Sequence, residues 1–238
     1  MDNDWIRIYL VRHGHVNYFD ENHQPVNPKY AVLSELGIQQ IQAVADLIRN
    51  IQFDEVYSST MPRSIQTAEV LLAKHDGAQA IQFCDEICEI RSGRLREIEP
   101  QQALQMIQYA YRFHSQHVEN FMLGEKWSDF ESRILTWFES ILFKLSQPKQ
   151  ILISSHDAVN RVLINWMYDQ VGQDIYVQEQ DYGCLNILDI EIHEDRICNK
   201  RIKLQNYTPY NPAKLNLFNS AMDDVYQAYT QMKQMKES

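Results

Sequence analysis

The sequence has little of what breaks a chain up and little of what staples it together. Seven glycines and seven prolines in 238 residues exclude a collagen-like or low-complexity chain. No Pro/Gly/Ser-rich linker divides it, so a single domain over 1–238 is expected. Of the four cysteines, only Cys84 and Cys88 are close neighbours, and CxxxC is neither a zinc-knuckle nor a redox spacing. They read as small apolar residues of a reducing compartment. No window approaches the roughly 18 apolar residues of a membrane span. The opening MDNDWIRIYL lacks the basic and long apolar regions of a signal peptide. Cytoplasm is therefore the expected location. Positive charge is also scarce: 22 Lys and Arg against 32 Asp and Glu give a net charge of -10. That argues against nucleic acid or a membrane as partner, since both need basic patches. It does not exclude a small anionic substrate, provided arginine is concentrated locally.

What is present is a 45% hydrophobic chain, enough for a sizeable core, in which strand-like and helix-like stretches alternate. Ile6–Val11 reads as a strand that stops at Arg12-His13-Gly14. A polar loop follows over residues 17–32. Ser34 is a plausible N-cap for a helix to about residue 50, with Ile38, Ile41, Val44, Ala45 and Ile48 on one face. Phe53–Ser58 is a second strand, and Pro62 opens the next helix. Ala80–Cys84 is a third strand. Residues 100–145 read as helical with a break at Leu123-Gly124, giving two aromatic-rich helices inserted near the site. Gln150–Ser155 suits a buried central strand, followed by a helix from Asp157. Cys184–Ile190 is a further strand, and a C-terminal helix is expected over about 220–236. Alternating strands and helices predict an α/β fold: a three-layer α/β/α sandwich with a mostly parallel central sheet.

In such a sheet, ligands bind beyond the carboxyl ends of the strands. Three of those ends carry suggestive residues: Arg12 and His13, then Arg63, then His156 at the opening of a helix. Each alone reads as a surface cation or a turn residue. Together, two guanidiniums and two imidazoles in one crevice read as a phosphate pocket, because Arg matches phosphate oxygens and neutral imidazole is a nucleophile. His13-Gly14-His15 and His156-Asp157 also allow a metal-site reading, but Arg12 beside the metal would be electrostatically poor and no further ligand set stands out.

The order of these segments resembles the histidine phosphatase superfamily, the phosphoglycerate-mutase-like proteins. The resemblance rests on Leu10-Val11-Arg12-His13-Gly14, Leu33-Ser34-Glu35-Leu36-Gly37, the Ser58–Ala68 stretch around Arg63, Glu89–Gly93, and Ser155-His156-Asp157-Ala158-Val159-Asn160-Arg161. It implies a phosphoglycerate-mutase-like fold and a metal-independent phosphomonoester hydrolase without a cofactor, acting on a small phosphorylated metabolite. His13 would be the phospho-accepting nucleophile. Arg12, Arg63 and His156 would hold the phosphoryl oxygens, with Asn17 a further substrate-binding candidate. Glu89 would be the proton donor, preferred over Glu97. The short spacing between Glu89 and His156 favours a phosphatase; a mutase-type transfer and a non-catalytic phospho-ligand binder are the alternatives. A homodimer is compatible with the sequence. Arginine charge should keep His13 neutral, and a neighbouring phosphate should raise the pKa of Glu89.

Overall fold

The computed structural model describes residues 5–18, 26–75, 80–94, 98–144, 150–220, 222–227 and 229–230. Six strands form one sheet: β1 (Trp5–Arg12), β2 (Glu55–Ser59), β3 (Ile81–Cys84), β4 (Gln150–Ser155), β5 (Leu185–His193) and β6 (Arg196–Tyr207), in the order β3-β2-β4-β1-β5-β6. The β1–β4, β4–β2 and β2–β3 pairs are parallel, and β5 runs antiparallel to β1 and β6. Around the sheet lie α1 (Glu35–Ile48), α2 (Pro62–Leu72), α3 (Pro100–Gln108), α4 (Trp127–Phe143) and α5 (Asp157–Met167). This is the mixed α/β, mostly parallel architecture expected from the alternation.

The period-two pattern of β1 sets the layers. Ile6, Ile8 and Leu10 enter a core shared with Phe138 of α4 and Val159 and Leu163 of α5. Tyr9 and Val11 face the other way, toward Ile41, Val44 and Ile48 of α1 and Leu71 of α2. Each fully buried aliphatic side chain of this kind contributes about 1.5–3 kcal/mol. Ser34 caps α1 as expected, accepting a bond from the Gly37 N–H at 3.1 Å.

Three expectations need correction. The 100–145 stretch is not two long helices. After α3 the chain takes turns through residues 109–126, with left-handed φ angles at His117, Met122 and Leu123. The irregular path brings the rings of Tyr111, Phe113 and Phe121 together on Trp127, a convergence that one continuous helix cannot make. The second of the two helices, α4, lies in the sandwich layer itself, with Trp137 edge-on to Tyr57 and Phe138 edge-on to Trp166. The third correction is β6, a 12-residue strand that the sequence reading passed over. It pairs with β5 through a tight turn in which Glu194 and Asp195 both have positive φ, the backbone of a two-residue hairpin loop. Of the expected C-terminal helix over about 220–236, residues 222–227 and 229–230 are helical and Ser220 is not; positions 221, 228 and 231–236 lie outside the described residues.

Candidate active site

Neighbouring strands end at the same level. Arg12 is paired with Ser155, and Ser58 with Ser154. The residues just past those ends therefore meet: His13 after β1, Arg63 in the first turn of α2 after β2, and His156 between β4 and α5. Glu89 follows β3, the next strand along. Arg12, His13, Arg63 and His156 are all buried.

The backbone around His13 is pinned on both sides. Its N–H donates to the Ser155 carbonyl at 3.0 Å, and its carbonyl accepts from the Gly183 N–H at 3.0 Å. Gly14 and Gly37 explain how α1 can press against this loop. A Cβ on Gly14 would stand 2.4 Å from the Gly37 carbonyl oxygen, and one on Gly37 would stand 2.2 Å from that of His15. Two separate sequence motifs are thus the two sides of one backbone contact.

The tautomer of His13 follows from its partners. Nδ1 lies 2.8 Å from the Gly14 carbonyl oxygen, which can only accept, so Nδ1 carries the proton. Nε2 then holds the lone pair, and it receives the Arg63 Nε–H at 3.0 Å. Burial, and then the charges of Arg63 and Arg12, hold the His13 pKa well below its usual value. The neutral imidazole is the form this site favours, as expected from the arginine charges. His156 stands edge-on to His13 with ring centroids 5.1 Å apart, and its Nε2 is 2.7 Å from Ser59 Oγ. Burial and the charge of Arg63 depress its pKa too. Arg12 Cζ lies over the Tyr182 ring, 3.9 Å from its centroid, and Nη1 donates to the Gln180 carbonyl. Two buried polar atoms here, Arg12 Nε and His156 Nδ1, have no hydrogen-bond partner among the described residues. Leaving such an atom unsatisfied costs about 1–3 kcal/mol, so the site is built to receive another polar group.

Glu89 is held differently, on a loop strapped to a second loop. The Gly93 N–H donates to the Met122 carbonyl at 2.9 Å, and the Glu125 N–H to the Arg91 carbonyl at 2.8 Å. Gly124 permits the approach, since a Cβ there would lie 2.0 Å from the Arg91 carbonyl oxygen. Arg133 ties the strap together by bonding the Glu125 carboxylate at 2.8 Å and the Cys88 carbonyl at 2.9 Å. Glu89 Oε2 accepts from the Ala158 N–H at 3.3 Å, in the first turn of α5, the helix that His156 precedes. Burial, and then the nearby Asp157 charge, push its pKa up. The rise was expected from a bound phosphate; desolvation alone already supplies it.

Asn17 is exposed, and no hydrogen bond among the described residues joins it to this cluster. Glu97, the other acid candidate, lies outside the described residues. His15 is half-buried, with Nδ1 2.8 Å from Ser34 Oγ and its ring against Tyr182. Asp157 is buried and accepts from Arg161 Nε at 2.6 Å and from the Tyr111 hydroxyl at 3.1 Å. Sequence reading did not find Tyr182, Ser59 or Gln180. Only Ser59 had a signal, its place in the Ser58–Ala68 segment.

All four cysteines are unpaired. Among the described residues, no helix is long and apolar enough to cross a membrane, and no group of three or more His, Cys, Asp or Glu side chains is arranged to hold a metal ion.

The family model described as "Histidine phosphatase superfamily (branch 1)" matches residues 8–201. A curated relative, 6-phosphofructo-2-kinase/fructose-2,6-bisphosphatase 3 of Rattus norvegicus, is 24% identical over 224 residues; the match covers 84% of this chain but only 37% of that protein. Among solved structures, alpha-ribazole phosphatase from Shigella flexneri aligns with a TM-score of 0.64 at 21% identity, over 84% of this chain and 96% of the other. Phosphoglycerate mutase from Bacillus anthracis aligns with a TM-score of 0.65 at 17% identity, over 97% and 98%. The chain therefore shares the fold of phosphoglycerate-mutase-like proteins.

Proposed function

The chain belongs to the histidine phosphatase superfamily, and on that premise we propose that it hydrolyses small phosphomonoesters through a phosphohistidine on His13. The observation that supports the reading is the contact of buried His13 with buried Arg63 and His156, beside buried Arg12 in the chain, with a lone pair on His13 Nε2. In the first step Nε2 attacks phosphorus and the P–O bond to the alcohol breaks. Arg12, Arg63 and His156 neutralise and orient the equatorial oxygens, the main task in phosphoryl transfer. Glu89, whose pKa is raised by burial, gives its proton to the departing alkoxide. In the second step the Glu89 carboxylate takes a proton from water, the hydroxide oxygen bonds phosphorus, and the P–N bond breaks. The ring returns to its neutral form and phosphate leaves.

No metal enters this scheme, and a cytoplasmic setting goes with the four unpaired cysteines. Hydrolysis is favoured over mutase transfer by the short spacing between Glu89 and His156 and by the phosphatase names among the relatives. Incubation with 4-nitrophenyl phosphate tests the reading. Turnover is expected, surviving EDTA, inhibited by vanadate, and falling at least ~10³-fold in His13→Ala, in line with loss of a covalent nucleophile. An inert wild-type protein would instead mark a phospho-ligand binder.

A further inference from the structure

The two arginines of the site are oriented by different means. Arg63 is bonded at all three nitrogens: Nε to His13 Nε2 at 3.0 Å, Nη1 to the Pro28 carbonyl at 2.6 Å and Nη2 to Met61 Sδ at 3.3 Å. Those bonds fix the plane of its fork. Arg12 is buried, yet its guanidinium makes a single hydrogen bond among the described residues, from Nη1 to the Gln180 carbonyl, and its Nε has no partner. One bond at one corner does not by itself set the plane of a guanidinium. What covers the face is the Tyr182 ring, whose centroid lies 3.9 Å from Cζ. Arginine stacks on aromatic faces through both its charge and its flat shape, and the attraction grows when water is excluded.

The same ring flanks the two imidazoles that follow Arg12. Its centroid lies 5.8 Å from that of His13 and 5.3 Å from that of His15. Tyr182 therefore packs on the segment that carries the nucleophile, although it lies outside every motif behind the family resemblance.

The backbone holds the ring in place. The Arg12 N–H donates to the Cys184 carbonyl at 3.1 Å, extending the β1–β5 pairing by one residue beyond Val11 and Leu185. Gly183, with φ +63°, takes the left-handed turn open to glycine and donates its N–H to the His13 carbonyl at 3.0 Å. On the other side of Tyr182, Asp181 is bound by Lys214 at 2.6 Å and by Asn206 Nδ2 at 3.0 Å. The Tyr210 hydroxyl donates to the Tyr182 carbonyl at 2.7 Å. The Tyr182 hydroxyl itself enters no hydrogen bond among the described residues, so what the side chain offers is its ring.

We propose that Tyr182 is a positioning residue for phosphoryl transfer: its ring sets the plane of the Arg12 guanidinium so that the fork meets the phosphoryl oxygens beside His13. The inference rests on the hydrolase reading above and adds to it a residue that acts through Arg12.

The test compares Tyr182→Leu and Tyr182→Phe with wild type on 4-nitrophenyl phosphate and n-hexyl phosphate, with the vanadate Ki measured for each protein. Tyr182→Leu should lower kcat/KM by about 10–10²-fold on both esters alike, the scale of a catalytic group displaced by about an ångström. Its vanadate Ki should rise at least ~10-fold, since vanadate needs the same preorganised donors. Tyr182→Phe keeps the aromatic face and should stay within about threefold of wild type in both measures. A ring that merely supports the fold predicts something else: fewer active molecules would lower kcat and leave KM and the vanadate Ki as they were. That result overturns the proposal. So does a loss in Tyr182→Phe as large as in Tyr182→Leu, which would put the role on the hydroxyl. Should Tyr182→Leu fail to fold, Tyr182→Met, which reaches further into the space of the ring, carries the same expectation. An active wild type with Tyr182→Leu unaffected overturns the positioning role alone. A wild type that turns over neither ester fails as a hydrolase and takes the positioning role with it.

Discussion

The two halves of the site are built by different means. Arg12, His13, Arg63 and His156 sit at the ends of paired strands or in the first turns of helices, and their positions are fixed by sheet register. Glu89 sits on a loop, fixed by a second loop through Gly124, Glu125 and Arg133. In the proposed mechanism the first half would offer charge and a lone pair to the phosphoryl group. The second would offer a proton to whatever leaves. A change in the first should affect every substrate alike, whereas a change in the second should depend on how badly the leaving group needs a proton.

The largest separation should come from Arg63. Arg63→Ala removes a preorganised donor and is expected to lower kcat by about 10²–10³-fold for aryl and alkyl phosphates equally. Arg63→Lys should recover little of the loss, since a point charge cannot reproduce the planar fork. A variant that spared aryl phosphate would move Arg63 to the leaving-group half. Next is Glu89→Gln, expected to slow alkyl phosphates by at least ~10²-fold while 4-nitrophenyl phosphate, whose phenolate leaves unaided, loses far less. The alkaline limb of the pH–rate profile should vanish in the same variant. A uniform loss on both substrates would assign the acid elsewhere.

Smaller still is Glu125→Gln, which weakens the strap without touching the site. About a tenfold loss is expected on alkyl phosphates and almost none on aryl phosphate, the scale of a misplaced catalytic group. Similar in size is an effect on stability, and it belongs to the strand-end half. Burial, then the arginine charges, hold His13 and His156 neutral below their usual pKa of 6.5. Their contribution is complete above that value and lost as pH falls beneath it, because the unfolded chain takes up the protons first. Urea unfolding should show wild type losing about 1–2 kcal/mol more than His156→Ala between pH 6.5 and 5. Equal slopes would mean that His156 takes up its proton in the folded protein as readily as in the unfolded chain.

The same contrast explains what could be read from the sequence. Strand ends follow from periodicity, so residues 12, 13, 63 and 156 could be placed together from the pattern of apolar residues before each one. Loop-to-loop contacts leave no such trace. The strap on Glu89, the aromatic cluster around Trp127 and the Arg161–Glu179 pair all depend on irregular backbone over residues 109–126 or 171–182. β6 was illegible for a different reason. It is an edge strand rich in Lys, Arg and Asn, as edges tend to be. A register shift also breaks its period: Ile197 pairs with Ile192, but Asn199 pairs with Glu191, so Ile197 falls out of step with Ile202 and Leu204.

The central claim is that His13 carries the phosphoryl group. Wild-type protein mixed with an excess of 4-nitrophenyl phosphate and quenched within a turnover should yield a peptide containing His13 with one phosphate that is stable in alkali and lost in acid. His13→Ala should yield none. Turnover in wild type with no phosphate on that peptide, or with the label on another residue, would contradict the account.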